Sequence, residues 1–217
     1  STLKEPFRIE GKKTMGYELP FDLFDVRENT KLRLPDCIIY PTGGGTGLIG
    51  MWKAFDEMEQ LGWIGPERPR MVVAQASGCA PIVQAWDLGK THAERIENAA
   101  TVASGLRVPA AIGDFIMLRI LKKSGGTALA VSDQELLGAQ NELTRYQGVF
   151  AAPESGATWA VAKKLLDRNW LKANEEIILF NTSTGIKYSQ NTPTDLPVVD
   201  PSKADWTQIL ETTRASD

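Results

Sequence analysis

The chain has 217 residues, 42% of them apolar and 24% charged, and a formal charge of −3. That balance suits one large α/β domain, or a big piece of one, in a soluble protein. The missing positive excess argues against nucleic acid as a main partner, and no apolar run reaches the roughly 18 residues that a membrane span needs. Ser1 to Pro6 lacks the basic region and apolar core of a signal peptide. There is no initiator Met, which points to a chain that is processed, trimmed or cut from something longer.

In chain order, short apolar runs alternate with amphipathic stretches. Residues 20–35 mix Phe, Asp, Arg and Asn and read as a loop or variable insert. Cys37-Ile38-Ile39-Tyr40 is the first strand, ending at Pro41, and a helix follows from about Thr46 to Leu61 with Leu48, Met51, Trp52, Phe55 and Met58 on one side. Met71–Ala74 is the second strand, followed by a mostly apolar helix over Pro81–Leu88 and another over Ile112–Lys122. Thr127–Val131 is the third strand. Ser132-Asp133-Gln134-Glu135 reads as a capping box opening a helix to about Arg145. Gly148–Ala151 reads as a fourth strand, Gly156–Leu166 as an Ala-rich helix and Ile177–Phe180 as a fifth strand. Beyond Tyr188 the chain is a polar, Pro-rich tail (residues 189–217) with one weak helix from about Ala204 to Ala215. Continuous apolar strands separated by helices predict an α/β fold with a doubly wound, mainly parallel sheet covered on both faces.

Cys37 and Cys79 sit in or near apolar segments without CxxC spacing and read as two buried thiols, a usage that fits a reducing, cytoplasmic setting. His92, the single histidine, lies in a polar run and reads as a solvated surface residue; a His-rich zinc site is excluded, and no metal site is expected.

The chemistry-bearing motif is Pro41-Thr42-Gly43-Gly44-Gly45-Thr46-Gly47-Leu48-Ile49-Gly50, between the first strand and its helix. Five glycines in the eight positions from Gly43 let the backbone come close to a ligand. The helix that follows adds free N–H groups and a positive dipole end, so the loop reads as an anion site, most naturally for phosphate. Gly45 to Gly50 formally matches the dinucleotide fingerprint, but the next strand ends Ala74-Gln75-Ala76-Ser77 without the acid that would hold a ribose. The Gly-Lys-Ser/Thr of a nucleotide-triphosphate loop is absent as well.

Four stretches resemble threonine synthases and related pyridoxal-phosphate (PLP) enzymes of the tryptophan synthase β type (fold-type II). They are Leu3–Thr14, Tyr40–Ala54, Pro153-Glu154-Ser155-Gly156-Ala157 and Asn181-Thr182-Ser183-Thr184-Gly185-Ile186-Lys187. The resemblance covers roughly residues 3–188 and implies that residues 1–188 form most of the large domain of such an enzyme. It implies that Gly43, Gly44, Gly45, Thr46 and Gly47 wrap the cofactor phosphate, and that the Thr182 hydroxyl faces the pyridine nitrogen, with Ser183 or Thr184 able to take that role. A hydroxyl there makes a weaker electron sink than an Asp, suiting elimination and replacement at Cβ and Cγ rather than transamination. Read locally, the alternative for Thr182 is a turn or helix-cap hydroxyl. Glu154 and Ser155 line the pocket or cap a helix.

The family's Schiff-base lysine, in a Ser-x-Lys-Asp-Arg-like motif, has no counterpart here. Lys4 and Lys187 are not assigned to that role, and no catalytic residue is assigned. The implied activity is conversion of O-phosphohomoserine and water to threonine and phosphate, with this chain a fragment that is inactive by itself and lacks the amino-terminal part of the enzyme. An amino-acid substrate and a homo-oligomer formed through an open sheet edge are expected. The alternatives are another PLP lyase or dehydratase on a small amino acid, a non-catalytic PLP- or phosphate-binding module, and a dinucleotide-binding domain.

Overall fold

The computed structural model describes residues 3–23, 32–191, 200, 202 and 205–207. Four strands form one sheet: β1 (Cys37–Pro41), β2 (Arg70–Ala76), β3 (Thr127–Val131) and β4 (Ile177–Leu179). Their order is β3-β2-β1-β4, and all three pairings are parallel. From β1 the chain steps outward through α2 (Thr46–Gln60) to β2, then through α3 (Pro81–Asp87) and α4 (Asp114–Ser124) to β3. It then crosses back by way of α5 (Asp133–Gln147) and α6 (Pro153–Asp167), so that β4 lies on the other side of β1. This is the doubly wound arrangement expected from the apolar runs.

Side-chain alternation along the strands divides the core in two. Ile38, Tyr40, Met71, Val73 and Ala128 face a cluster built with Leu48, Met51 and Phe55 of α2, Ile82 of α3 and Met117 and Leu121 of α4. Cys37, Ile39, Val72, Ala74 and Leu129 face the other way, onto Leu136 of α5 and Ala157, Val161 and Leu165 of α6. Strand positions buried on both faces favour apolar side chains, which is why Cys37–Tyr40 of β1 and Met71–Ala74 of β2 read as unbroken apolar runs. Both cysteines are free and buried as expected, and burial pushes the Cys37 thiol up to about 12.

The structure departs from the expectations in four places. A helix, α1 (Phe7–Asp22), stands where none was read, and it takes in residues 20–22 of the expected insert, with Pro20 inside its last turn. It docks on α2 at close range: a Cβ on Gly16 would lie 2.8 Å from that of Ala54, and one on Gly50 2.8 Å from that of Lys12. Lys13 and Tyr17 both donate to the Glu57 carboxylate across this contact. Gly148–Ala151 is not a strand; it is a short link with one antiparallel bridge between Ala151 and Thr184, because Gly148 ends α5 in the left-handed conformation (φ 65°) and Pro153 already opens α6. Two helices start away from their expected positions, at Asp114 and at Pro153. Residues 24–31 and most of the tail, including the expected helix over 204–215 apart from residues 205–207, lie outside the described residues.

Candidate functional site

In an open α/β sheet the chain direction reverses between the two halves, and the carboxyl ends of the strands on either side of that reversal leave a crevice. Here the reversal falls between β1 and β4. The glycine loop leaves the end of β1, and the Thr182 segment leaves the end of β4, so the two motifs singled out in the sequence meet at one place.

The loop is anchored from below. Thr42 is fully buried; its N–H donates to the Ala74 carbonyl (2.8 Å) and its hydroxyl to the Tyr40 carbonyl (2.8 Å). Gln75, also fully buried, donates to the Thr42 carbonyl (3.1 Å) and accepts from the N–H groups of Ile82 and Val83 at the start of α3. Gln75 therefore stands where a dinucleotide fold would carry its acid, and it is committed to holding two chain segments together.

Above this anchor the backbone donors are free. α2 begins after Gly45, which has φ 78° and offers no side-chain cap. Among the described residues, no acceptor stands opposite the N–H groups of Gly43 to Leu48; the first donor with a partner is that of Ile49, to the Gly45 carbonyl. A helix start without a cap, preceded by successive free N–H groups, is an anion cradle. The glycines are also required sterically. A Cβ on Gly43 would come within 2.3 Å of the Gly105 carbonyl oxygen, on Gly45 within 2.1 Å of the Met117 sulfur, and on Gly47 within 2.0 Å of the Tyr40 hydroxyl.

The crevice is a cavity of about 350 Å³. Of the residues expected to bind, Gly43, Gly44, Gly45, Thr46 and Thr182 stand on its wall; Gly47 lies just behind, against Tyr40. Thr182 is exposed there, and the turn-capping role belongs instead to Thr184, whose hydroxyl donates to the Phe150 carbonyl (3.5 Å) and accepts from the Ile186 N–H (3.4 Å). Ser183 reaches the wall. Ser155 does not: it is buried and donates to the Asn181 side chain (2.5 Å), tying α6 to the end of β4. Glu154 does line the cavity, as expected. Lys187 is the lysine on the wall, whereas Lys4 lies beside Glu5, Glu10 and Lys53 in a separate shallow hollow at α1.

Residues 89–108 carry polar groups near where a substrate would sit, but no motif in the sequence assigns the far wall that they form. The loop between α3 and α4 is held by Asp133, which accepts from the Thr101 hydroxyl (2.5 Å) and the Val102 N–H (3.0 Å), and by Asp114, which accepts from the Ala93 N–H (2.6 Å). It carries a 3-10 turn, Ser104–Leu106, that closes the cavity opposite the glycines. Tyr188 completes the wall. Its hydroxyl meets Ser104 Oγ (2.6 Å) and donates to Glu154 Oε1, which also accepts from the Gly105 N–H (2.8 Å). Burial, then the Glu154 carboxylate, raises the Tyr188 phenol above its ordinary value. A lone Ser-Gly pair and a tyrosine beyond the last strand carry no motif; only long-range packing brings them here.

Sequence comparison identifies the family. Residues 1–183 match the family described as "Pyridoxal-phosphate dependent enzyme". The chain belongs to that family. The family's cofactor is pyridoxal phosphate, and the free N–H cradle and the glycine-only contacts around it fit a phosphate-bearing group. The PLP-family chain is 33% identical over 185 residues to the threonine synthase of Methanosarcina acetivorans, covering 85% of this chain and 44% of that one. It is 34% identical over 182 residues to that of Methanocaldococcus jannaschii, covering 84% and 43%. With the threonine synthase of Mycobacterium bovis the identity is 32% over 206 residues, covering 95% and 52%. The chain thus spans about half the length of the curated relatives it matches. Among solved structures its fold is similar to a fungal L-serine ammonia-lyase from Rhizomucor miehei (TM-score 0.64, 17% identity, covering 84% of this chain and 55% of that one). It is also similar to maize serine racemase (TM-score 0.60, 20% identity, covering 85% and 52%). Among the described residues no helix is long and apolar enough to cross a membrane.

Proposed function

We propose that this chain is the phosphate-gripping half of a threonine synthase, which converts O-phosphohomoserine and water to threonine and phosphate. The observation that carries the reading is the run of free backbone donors from Gly43 to Leu48, facing Thr182 across the β1/β4 crevice. In a chain about one-third identical to threonine synthases, that cradle is best filled by the phosphate of PLP. When bound, PLP supplies the electron sink for chemistry at Cβ and Cγ.

The chain's own residues bind and orient. Gly43 to Gly47 take the phosphate, with Gly47 contributing its N–H from behind the wall, and Thr182 offers a neutral hydroxyl rather than a carboxylate at the opposite side. Lys187, the lysine on the wall, follows the Thr182 segment and stands in no Ser-x-Lys-Asp-Arg-like motif, so the lysine for covalent attachment is expected from another part of the enzyme and this chain alone is expected to be inactive. β4 carries no further strand on its outer side among the described residues, and an unpaired strand edge invites association. Self-association is therefore expected through it, and a clean monomer in light scattering at high concentration would count against this. The setting is cytoplasmic.

The test has two stages. The chain is incubated with PLP, reduced with borohydride and mapped by peptide mass; no stoichiometric adduct on a single lysine is expected, and one such adduct would overturn the inactive-chain reading. The complete product of the encoding gene is then offered O-phosphohomoserine, L-serine and L-threonine in turn. Equal release of phosphate and threonine supports the proposal. A keto acid from serine or threonine would make the protein a dehydratase instead. PLP binding without turnover of any of the three would make it a binding module.

A further inference from the structure

Among the described residues that line the crevice, two bear a formally charged side chain, Glu154 and Lys187. Glu154 is buried and committed to the wall, accepting from the Gly105 N–H (2.8 Å) and the Tyr188 hydroxyl. Lys187 is exposed, and its ammonium has no hydrogen-bond or ion-pair partner among the described residues. Other lysines of the fold are paired: Lys13 with Glu57, Lys90 with Glu94, Lys163 with Glu142 and Lys164 with Glu135. The backbone around Lys187 is held from both sides. Before it, the Gly185 N–H donates to the Phe150 carbonyl (2.8 Å), and the Lys187 N–H itself donates to the Thr184 carbonyl (3.3 Å). After it, Tyr188 is tied to Ser104 (2.6 Å) and to Glu154. The fold thus fixes where the side chain starts and leaves its charge free to swing. In a crevice of about 350 Å³, a four-carbon stem carries that charge to whatever is bound.

The glycine loop has use for it. Its donors are neutral N–H groups, and a helix start adds only about half a positive charge, whereas a phosphate monoester carries close to two negative ones at neutral pH. Oxygens also crowd the loop: a Cβ on Gly43 would lie 2.3 Å from the Gly105 carbonyl oxygen, and Gly105 is bonded in turn to the Glu154 carboxylate. Lys187 is the cationic side chain on the wall that offsets them.

We propose that Lys187 is the counter-charge for the phosphate seated on the Gly43–Gly47 loop, an ionic role and not a covalent one. This rests on the reading of the crevice as a phosphate cradle and deepens it. The backbone sets the shape of the site, and Lys187 sets its charge.

The experiment measures binding of two probes by calorimetry, inorganic phosphate and pyridoxine 5′-phosphate; the second has no aldehyde and cannot attach to a lysine. Lys187→Gln is expected to weaken both by roughly fivefold to tenfold, as loss of a charge-assisted hydrogen bond does. Its remaining affinity should fall less steeply with added sodium chloride than that of the wild type, because one screened charge contact is gone. Lys187→Arg keeps the charge and is expected to bind within about threefold of the wild type. Lys122→Gln removes the same charge from α4, outside the crevice, and is expected to change neither affinity. A Lys187→Gln chain that binds both probes as the wild type does, or a Lys122→Gln chain weakened as much, overturns the proposal and leaves the cradle reading standing. A wild-type chain that binds neither probe overturns both. Should Lys187→Gln fail to fold, the wild type still decides: phosphate affinity indifferent to salt overturns the proposal, and affinity that falls with salt, with Lys187→Arg following it, supports it.

Discussion

Two of the molecule's hollows make a contrast, and the larger of the two is the less chemical. The groove beside α3 and α4 measures about 480 Å³ and is lined by Trp86, His92, Phe115, Leu118, Arg119 and Lys122, among others. The crevice at the strand ends measures about 350 Å³. In the groove Lys90 pairs with Glu94 (2.5 Å), and the exposed His92 stacks on Phe115 with ring centres 5.8 Å apart. In the crevice the backbone donors of the glycine loop wait for a partner. Volume marks where something could fit; unspent hydrogen-bonding capacity marks where something is meant to be held.

The sharpest way to break that contrast is Gly45→Val. A β-branched residue at φ 78°, with Met117 sulfur 2.1 Å from its Cβ, is expected to cost roughly 2–4 kcal/mol of stability and to abolish phosphate and PLP binding. Urea unfolding and calorimetry read both; unchanged PLP affinity would move the site elsewhere. Next comes the support behind the far wall. Ser132 caps α5, and its neighbour Asp133 holds the loop that carries the Ser104 turn. Ser132→Ala is expected to cost about 1 kcal/mol in urea unfolding, and to weaken PLP binding, whereas an equally destabilising change at the groove should not.

Acid tests the same helix start. Lys164 first, and the Ser132 N–H second, hold the Glu135 carboxyl at about 2, below its ordinary value of 4.5. The folded value is the depressed one, so the stabilisation is present above pH 4.5 and disappears as pH falls toward 2. Because the side chain is 43% exposed, screening limits the effect to about 1 kcal/mol or less. Glu135→Gln should flatten that part of the stability profile, and a profile that keeps its slope would refute the assignment. The smallest expected effect is at the groove itself: Phe115→Ala and Arg119→Ala should leave PLP affinity within about twofold, less than 0.5 kcal/mol, and a larger loss would mean that the two hollows act as one.

How much of this was legible follows from what each element touches. β1 and β2 announce themselves because both faces are covered, leaving no polar position to interrupt Cys37–Tyr40 or Met71–Ala74. The glycine loop is legible for a similar reason, since the Gly105 backbone at Gly43 and the Met117 and Tyr40 side chains at Gly45 and Gly47 leave no room for a side chain. α1 was illegible because it lacks a clean apolar stripe. Its contact with α2 runs through Gly16 and Gly50 and through Lys13, Tyr17 and Glu57, so the residues that mark the interface are ones that sequence reading assigns to breaks and solvent. Gly148–Ala151 misled in the opposite sense: an apolar run of strand composition serves as a linker. The 3-10 turn at Ser104 and the Tyr188 hydroxyl were illegible because their importance exists only after Asp133 and Glu154 have drawn them in.

The position of β4 has a kinetic consequence. Asp36, just before β1, accepts from the Glu176 N–H across a separation of 140 residues, and β4 can pair with β1 only after everything between them has been wound out to β3 and back. Such long-range closure is entropically late and slow compared with local pairing. Thr182 and Tyr188 follow β4, so the two walls of the crevice come together only in the final stage of folding. Ligand binding should therefore report the last event of refolding: a stopped-flow trace following PLP fluorescence would lag one following helix formation, and the lag would time the docking of the last strand.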